Sequence, residues 1–221
     1  ELILREGPET IAAFIAEPIS GAGGVILPPT GYFDKVQAVL KKYDIFMWAD
    51  EVITGFGRTG AAFGSDSLAI QPHMMSLAKA LSSAYMPLSA AVVTGDIYQA
   101  MVEPSSKVGA FGHGYTYSGH PVACAVASKV LDIYQRDGLF EHAATLGAYL
   151  QRRLREFSGH PLVGEVRGMG MIAALELVAN KDTRQAFANN AVGGFCQKSG
   201  ENHGLIVRSM GGNNIALCPP L

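Results

Sequence analysis

Two residues set the chemistry open to this chain: a carboxylate, Asp50, and a lysine, Lys79, 29 positions further on. Asp50 follows the apolar run IFMWA, and Lys79 lies in SLAKAL among apolar and small neighbours. A lysine in that setting either snorkels to the surface or is kept partly dry. Drying lowers its pKa until the amine is a usable nucleophile at neutral pH. Such an amine is suited to Schiff-base formation with an aldehyde, and pyridoxal 5′-phosphate (PLP) carries one. PLP also needs a carboxylate that keeps its pyridine nitrogen protonated, so that the ring withdraws electrons. Lys79 and Asp50 match those two requirements.

Other residues offer a functional and a plain reading side by side. Val52 shares the face of Asp50 if the strand continues; it then packs on a flat cofactor ring, sits in the core as an ordinary valine, or does both. Glu17 ends the run IAAFIAEPI just before SGAGG. There it either caps the loop or faces a crevice at a strand end, where open α/β sheets bind ligands. Residues 109–121, GAFGHGYTYSGHP, put the hydroxyls of Thr116 and Ser118 beside a helix entrance. That arrangement makes either a capping turn or a phosphate site. Arg208 follows GLIV before a Gly-Gly-Asn-Asn turn, as a solvated turn residue or as a ligand arm. The Gly-rich loop 55–64 fits neither GxxxxGK[ST] nor GxGxxG, so it is a weak phosphate cradle. Arg58 within it reads as an ion-pair residue that orders the loop. His113 and His120 lack a third ligand partner, so no metal is expected.

The elements that must position these groups alternate between strand and helix. Residues 11–19 read as a short buried strand ended by Pro18. A helix is expected over 31–43, with Phe33, Val36, Val39 and Leu40 on one stripe. IFMWADEV is then a strand delivering Asp50 at its C-terminal end, HMMSLAKA (73–80) a strand leading to Lys79, and 88–95 the next strand. Helices follow over 121–137 and 138–157. The segment 163–178 reads as two antiparallel strands around Gly168–Gly170. A helix over 184–203 and strands over 204–209 and 214–218 complete the chain. The pattern predicts an α/β fold, with residues 1–137 in a larger domain and 138–221 in a smaller α+β domain.

Composition excludes several classes. The 221 residues are 48% hydrophobic and 16% charged, with a net charge of −2, which gives no reason to expect nucleic acid or a membrane surface as partner. No run approaches the length needed to span a bilayer, and no signal peptide is visible. The three cysteines, Cys124, Cys196 and Cys218, are far apart and odd in number, which argues for reduced thiols and a cytoplasmic setting. A chain that begins at Glu1 and stops at the end of an apolar strand reads as a fragment of something substantially longer.

ADEVITGFGRTG, with Lys79 in SLAKALSSAYMPLSA after it, resembles the class III aminotransferases. So do AEPISGAGG (16–24) and GYTYSGHP (114–121), and more loosely GLIVRSMGGNNIALCPPL (204–221). The resemblance touches most of the chain, with the blocks in the family's order. It implies the PLP-dependent fold type I: a mixed, mostly parallel sheet flanked by helices, plus a C-terminal small domain. It implies PLP on Lys79, Asp50 at the ring nitrogen, Val52 on the ring face, and Glu17 near the cofactor, paired with a mobile arginine. The threonine matching Thr116 reaches the phosphate held by the neighbouring subunit, with the aromatic at Tyr115 beside it, which implies an obligate homodimer with shared sites. Arg208 matches the arginine that binds a substrate carboxylate in amine:pyruvate members. Ornithine and γ-aminobutyrate branches carry theirs in the final strand, where Ala216 stands here. That departure shifts the reading towards an ω-amine:pyruvate-like transaminase taking an amine and a keto acid. His73, where many relatives have aspartate, is expected to affect only its loop. Two other readings keep the same motifs: an aminomutase, and a scaffold homologue without catalysis, which the retained Asp50, Lys79 and Thr116 disfavour.

Overall fold

A computed structural model describes residues 1–221. Its first sheet has the order β1 (Ala13–Ala16), β2 (Phe46–Asp50), β3 (Met74–Leu77), β4 (Ala90–Val93). The first three strands run parallel and β4 runs antiparallel to β3. Because β1, β2 and β3 are parallel, their carboxyl ends lie together, and Glu17, Asp50 and Lys79 all emerge on that side. The pairing of Ala16 with Ala49, and of Asp50 with Ser76, sets how far each strand reaches. A second sheet, all antiparallel, contains β5 (Val163–Met169), β6 (Ile172–Leu177), β7 (Arg208–Met210) and β8 (Asn214–Leu217), in the order β5-β6-β8-β7.

The helices are α1 (Leu2–Glu6), α2 (Tyr32–Lys42), α3 (Gly64–Ser67), α4 (Gly95–Val108), α5 (Pro121–Arg136), α6 (Leu139–Arg155) and α7 (Ala191–Asn202). None is long and apolar enough to cross a membrane. Helix α2 covers the first sheet by burying Phe33 and Leu40 against Ile45, Met47 and Ile70. Val39, expected on the same stripe, is exposed instead, because the buried stripe is only as wide as the edge of sheet it covers. Leu77 and Leu81 pack against Phe56, Ala127, Val130 and Tyr134, each gaining about 1.5–3 kcal/mol from burial. Ile19 and Val25, from the loop after β1, join Ile172, Ala174 and Ala216 of the second sheet in one cluster. The loop after β1 is therefore packed into the core of the second sheet.

Several expectations are corrected. The strand at 13–16 is not buried: it lies at the sheet edge with only β2 as partner, and Ile15 is 53% exposed. The helix expected from 184 starts at Ala191; before it the chain turns back on itself, with Arg184 at φ 55° and a bridge from Asn180 to Gln185. Helix α4 went unread. It spaces Ile97, Tyr98, Met101 and Val102 at helical intervals, but Pro104 inside it reads as a breaker and none of its residues is buried.

Candidate active site

Lys79 stands just past β3, at the first residue of a 3₁₀ turn, Lys79–Leu81. Its φ is +48°, a left-handed conformation that costs a non-glycine residue about 1–3 kcal/mol and tends to mark functional sites. The turn directs Leu77 and Leu81 into the core and leaves Lys79 exposed. The apolar letters around it in the sequence thus belong to the opposite face, and within these residues the lysine is not dry. It takes part in none of the ion pairs of the chain.

Asp50 ends β2 on the neighbouring strand, half-buried. Its Oδ1 accepts a hydrogen bond from the Val52 N–H at 3.1 Å, leaving Oδ2 clear of donors from the chain. That bond closes a turn, so the strand does not persist to Val52. Val52 nonetheless lines the same cavity as Lys79, placed there by the turn and not by strand alternation. This cavity, of about 620 Å³, is also lined by Ile53, Arg58, Tyr134, Leu139, Arg208 and Cys218.

The segment between the two residues is held by Glu51, which no motif in the sequence singles out. Its side chain is fully buried. It accepts hydrogen bonds from Thr54 Oγ1 at 2.5 Å, Gly64 N at 2.9 Å, Ser65 N at 2.6 Å and Ser65 Oγ at 2.5 Å. A buried carboxylate survives only when satisfied in this way. Its four bonds close the loop onto the residue next to Asp50, which fixes where the strand ends. In the sequence it is one more acid beside the first, with no spacing to single it out.

Arg58 makes no ion pair, contrary to expectation. It donates from Nη1 to the carbonyls of Met171 at 2.9 Å and Pro219 at 2.6 Å, tying the Gly-rich loop to the second sheet and the C-terminal segment. Burial lowers its pKa from the ordinary arginine value, an effect partly offset by Cys218 and Tyr134. Desolvation raises the Cys218 thiol above its ordinary value, against the pull of Arg58 and Arg208. Gly170, at φ +56°, must be glycine: a Cβ there would lie 2.3 Å from the Thr59 carbonyl carbon.

Glu17 follows its plain reading, since its Oε2 accepts from Gly21 N at 2.9 Å and so caps the turn. It pairs with no arginine. Gly21 and Ala22, at the end of that turn, line a second, smaller cavity of about 290 Å³ together with Val25, Ile53, Arg208 and Ala216. Arg208 borders both cavities. It lies directly across from Ala216 in the pairing of β7 with β8, so both positions present side chains to the same face. Tyr115 and Thr116 stand apart, on an exposed loop outside either cavity. Ser118 does not cap α5, which has no side-chain cap; its Oγ accepts from Tyr115 N at 3.1 Å instead. His73, the other departure, accepts from Met47 N at 3.1 Å through Nδ1, so it joins its loop to β2.

The description "Aminotransferase class-III" fits the whole of residues 1–221. The chain belongs to the class III aminotransferases. Among its class III relatives, a probable γ-aminobutyrate transaminase 3, mitochondrial, of Oryza sativa subsp. indica is 53% identical over all of this chain and 43% of its own length. A vanillin aminotransferase of Capsicum frutescens is 49% identical over 99% of this chain and 48% of its own length. The chain thus spans less than half the length of these relatives. The crystal structure of an omega transaminase from Pseudomonas jessenii in complex with PMP superposes with a TM-score of 0.96 at 50% identity, covering 99% of this chain and 48% of that one. The likeness identifies the fold as PLP-dependent fold type I, in agreement with the mixed first sheet and its flanking helices.

Proposed function

We propose that the protein containing these residues is a PLP-dependent transaminase that moves an amino group from an amine or ω-amino acid to a keto acid, pyruvate, in a ping-pong cycle. The observation that carries this reading is the meeting of Lys79 and Asp50 at the carboxyl ends of adjacent parallel strands, beside a cavity walled by Val52 and Arg208. The residues fit PLP at two of its groups: Lys79 has an amine engaged by no carboxylate, and Asp50 keeps one oxygen clear for a ring N–H. Bound there, PLP supplies an aldehyde that captures amines and a ring that takes up the electron pair left on the substrate carbon. Lys79 would hold the cofactor, and its Nζ would move the proton to and from the substrate carbon. Asp50 holds the proton at the ring nitrogen through a charge-assisted bond. Val52, lining the same cavity as Lys79, would pack on the ring face and exclude water from it.

Glu17 positions the turn at Gly21 and Ala22, which borders the substrate. Arg208 is assigned the keto-acid carboxylate, because a planar guanidinium grips it with two parallel bonds and a long stem swings aside for an apolar amine. Arg208→Ala is expected to slow the pyruvate half-reaction roughly ten- to a hundredfold, the cost of one charge-assisted pair, while sparing the half-reaction with a carboxylate-free amine. Single-turnover kinetics of each half decide it, and equal slowing of both makes Arg208 structural. Ala216 favours a pyruvate-type acceptor, although relatives at about 50% identity bear γ-aminobutyrate as well as omega transaminase names. Both branches would draw on the same cavity, because positions 208 and 216 are cross-strand neighbours.

The phosphate is assigned to Thr116 of a second copy, with Tyr115 beside it, in an obligate homodimer. Support comes from the exposure of this loop and from the exposed Tyr98, Phe111, Tyr115 and Tyr117 around it, a cluster of aromatics of the kind that marks interaction surfaces. A mixture of inactive Lys79→Ala and inactive Thr116→Ala protomers is expected to regain activity, because one site of the mixed dimer carries both defects and the other neither. No recovery with heterodimers confirmed would place Thr116 in its own chain's site. Residues 1–137 and 138–221 are assigned to the large and small domains. A cytoplasmic location is proposed from the cysteines alone, while relatives in plants bear mitochondrial and chloroplastic names.

The function is tested by purifying the full-length protein with PLP and following amine-dependent conversion of pyruvate to alanine. An aminomutase would isomerise the amine without a keto acid.

A further inference from the structure

The smaller cavity has two walls from distant parts of the chain. One is the turn after β1, with Gly21, Ala22 and Val25; the other is the β7–β8 hairpin, with Arg208, Met210 and Ala216. Arg167 in β5 does not line this cavity but a neighbouring one, with Gly23, Ile26 and Asn214; its side chain is only 11% exposed, and it bonds to residues adjoining each wall. Its Nε donates to the Gly24 carbonyl at 2.9 Å, and its Nη2 donates to Asn214 Oδ1 at 2.6 Å. Its Nη1 is held by Glu165 at 2.8 Å and by Glu176. Asn214 passes the link on, donating from Nδ2 to the Gly211 carbonyl at 2.6 Å in the turn that leads from β7. The Gly24 end is itself ordered by reciprocal bonds, Ser20 N to Ile26 O at 3.0 Å and Ile26 N to Ser20 O at 2.9 Å. Gly24 has φ +123°, a conformation that favours glycine, and a Cβ there would crowd Arg167 Nη2 at 3.2 Å.

We propose that Arg167 is a positioning residue that locks the Gly21–Val25 turn to the Arg208 hairpin and thereby sets the width of the smaller cavity, and with it the size of amine donor accepted. Its functional half rests on the transaminase reading above. Only arginine meets the geometry, because its fork of donors serves a carbonyl, an amide oxygen and two carboxylates at once, where a lysine offers a single point charge. The two glutamates hold the fork in orientation, and the bonds to Gly24 and Asn214 transmit it to the two walls.

The test uses the full-length protein with Arg167→Lys, which keeps a cation beside Glu165 and Glu176 but gives up the simultaneous reach to Gly24 and Asn214. Amide hydrogen exchange is expected to quicken about tenfold at Ser20 and Ile26 and across the 208–214 hairpin, with β2 and β3 unchanged. The ratio of kcat/KM for a bulky amine to that for a small one is expected to rise about tenfold, the scale on which an apolar pocket discriminates one methylene. A second variant, Asn214→Ala, cuts only the hairpin link and is expected to loosen 208–214 while Ser20 and Ile26 stay protected. Unchanged exchange at Ser20 and Ile26 in Arg167→Lys, or a uniform rise over the whole chain, overturns the proposal. A local rise with the donor ratio unmoved also overturns it, since the lock would then not govern selection. If the unmodified protein transaminates nothing, the transaminase reading fails on its own, and the exchange data still decide whether the lock exists.

Discussion

Replacing Lys79 by alanine is expected to lower turnover by about 10⁴-fold, the upper range for a group that moves the proton in the reaction, while leaving the fold intact. The structure separates these two effects. Lys79 is exposed and makes no ion pair, so its truncation opens no cavity, and a surface change of this kind stays within about 0.5 kcal/mol. Its positive φ of 48° is no worse for alanine than for lysine, so the strain of the turn is unchanged. Circular dichroism and thermal unfolding of Lys79→Ala should match the parent while activity is lost. Borohydride reduction of the parent, followed by peptide mapping, should place the phosphopyridoxyl mass on Lys79. Finding it on Lys107 or Lys129 would end the assignment.

Asp50→Asn is expected to reduce kcat by about 10²–10³-fold, the scale of removing one preorganised electrostatic partner, with cofactor retention little changed. The substitution is nearly isosteric, and the amide oxygen can still accept the Val52 N–H that Asp50 Oδ1 now accepts at 3.1 Å. The turn that puts Val52 into the cavity should therefore persist, and the loss isolates the charge. A neutral amide does not hold a proton at the ring nitrogen, so the ring takes up the electron pair less readily. Steady-state kinetics alongside the cofactor's visible absorbance separate weakened chemistry from weakened binding. Turnover near that of the parent would mean that another residue meets the ring nitrogen.

The difference between what was legible early and what was not follows the range of the interactions. Asp50 at a strand end and Lys79 just past the next strand could be read from apolar runs and breaks, which are local. So could α2, α5 and α6, whose apolar spacing lies within one helix. The dryness of Lys79 could not, because it depends on which face Leu77 and Leu81 turn to, and that is settled by Phe56, Ala127, Val130 and Tyr134 elsewhere in the chain. Val52 reached the expected cavity by an unexpected route, a turn closed by Asp50 itself. Glu17 took its plain role, accepting from the amide of Gly21 four residues on.

The sequence by itself determined the family, the fold type and the place of Asp50 and Lys79 at strand ends, because motif spacing and strand-ending breaks are properties of contiguous residues. Only the tertiary structure decided the long-range ties: the buried Glu51 that closes the loop beside Asp50, Arg58 bonded to Met171 and Pro219, and Arg167 joining the turn after β1 to the β7–β8 hairpin through Gly24 and Asn214. Arg58 and Arg167 join residues 113 and 143 positions apart at their partners Met171 and Gly24. No periodicity records such a pairing. It exists because an arginine desolvated between two segments must find its acceptors wherever packing brings carbonyls and amide oxygens within reach.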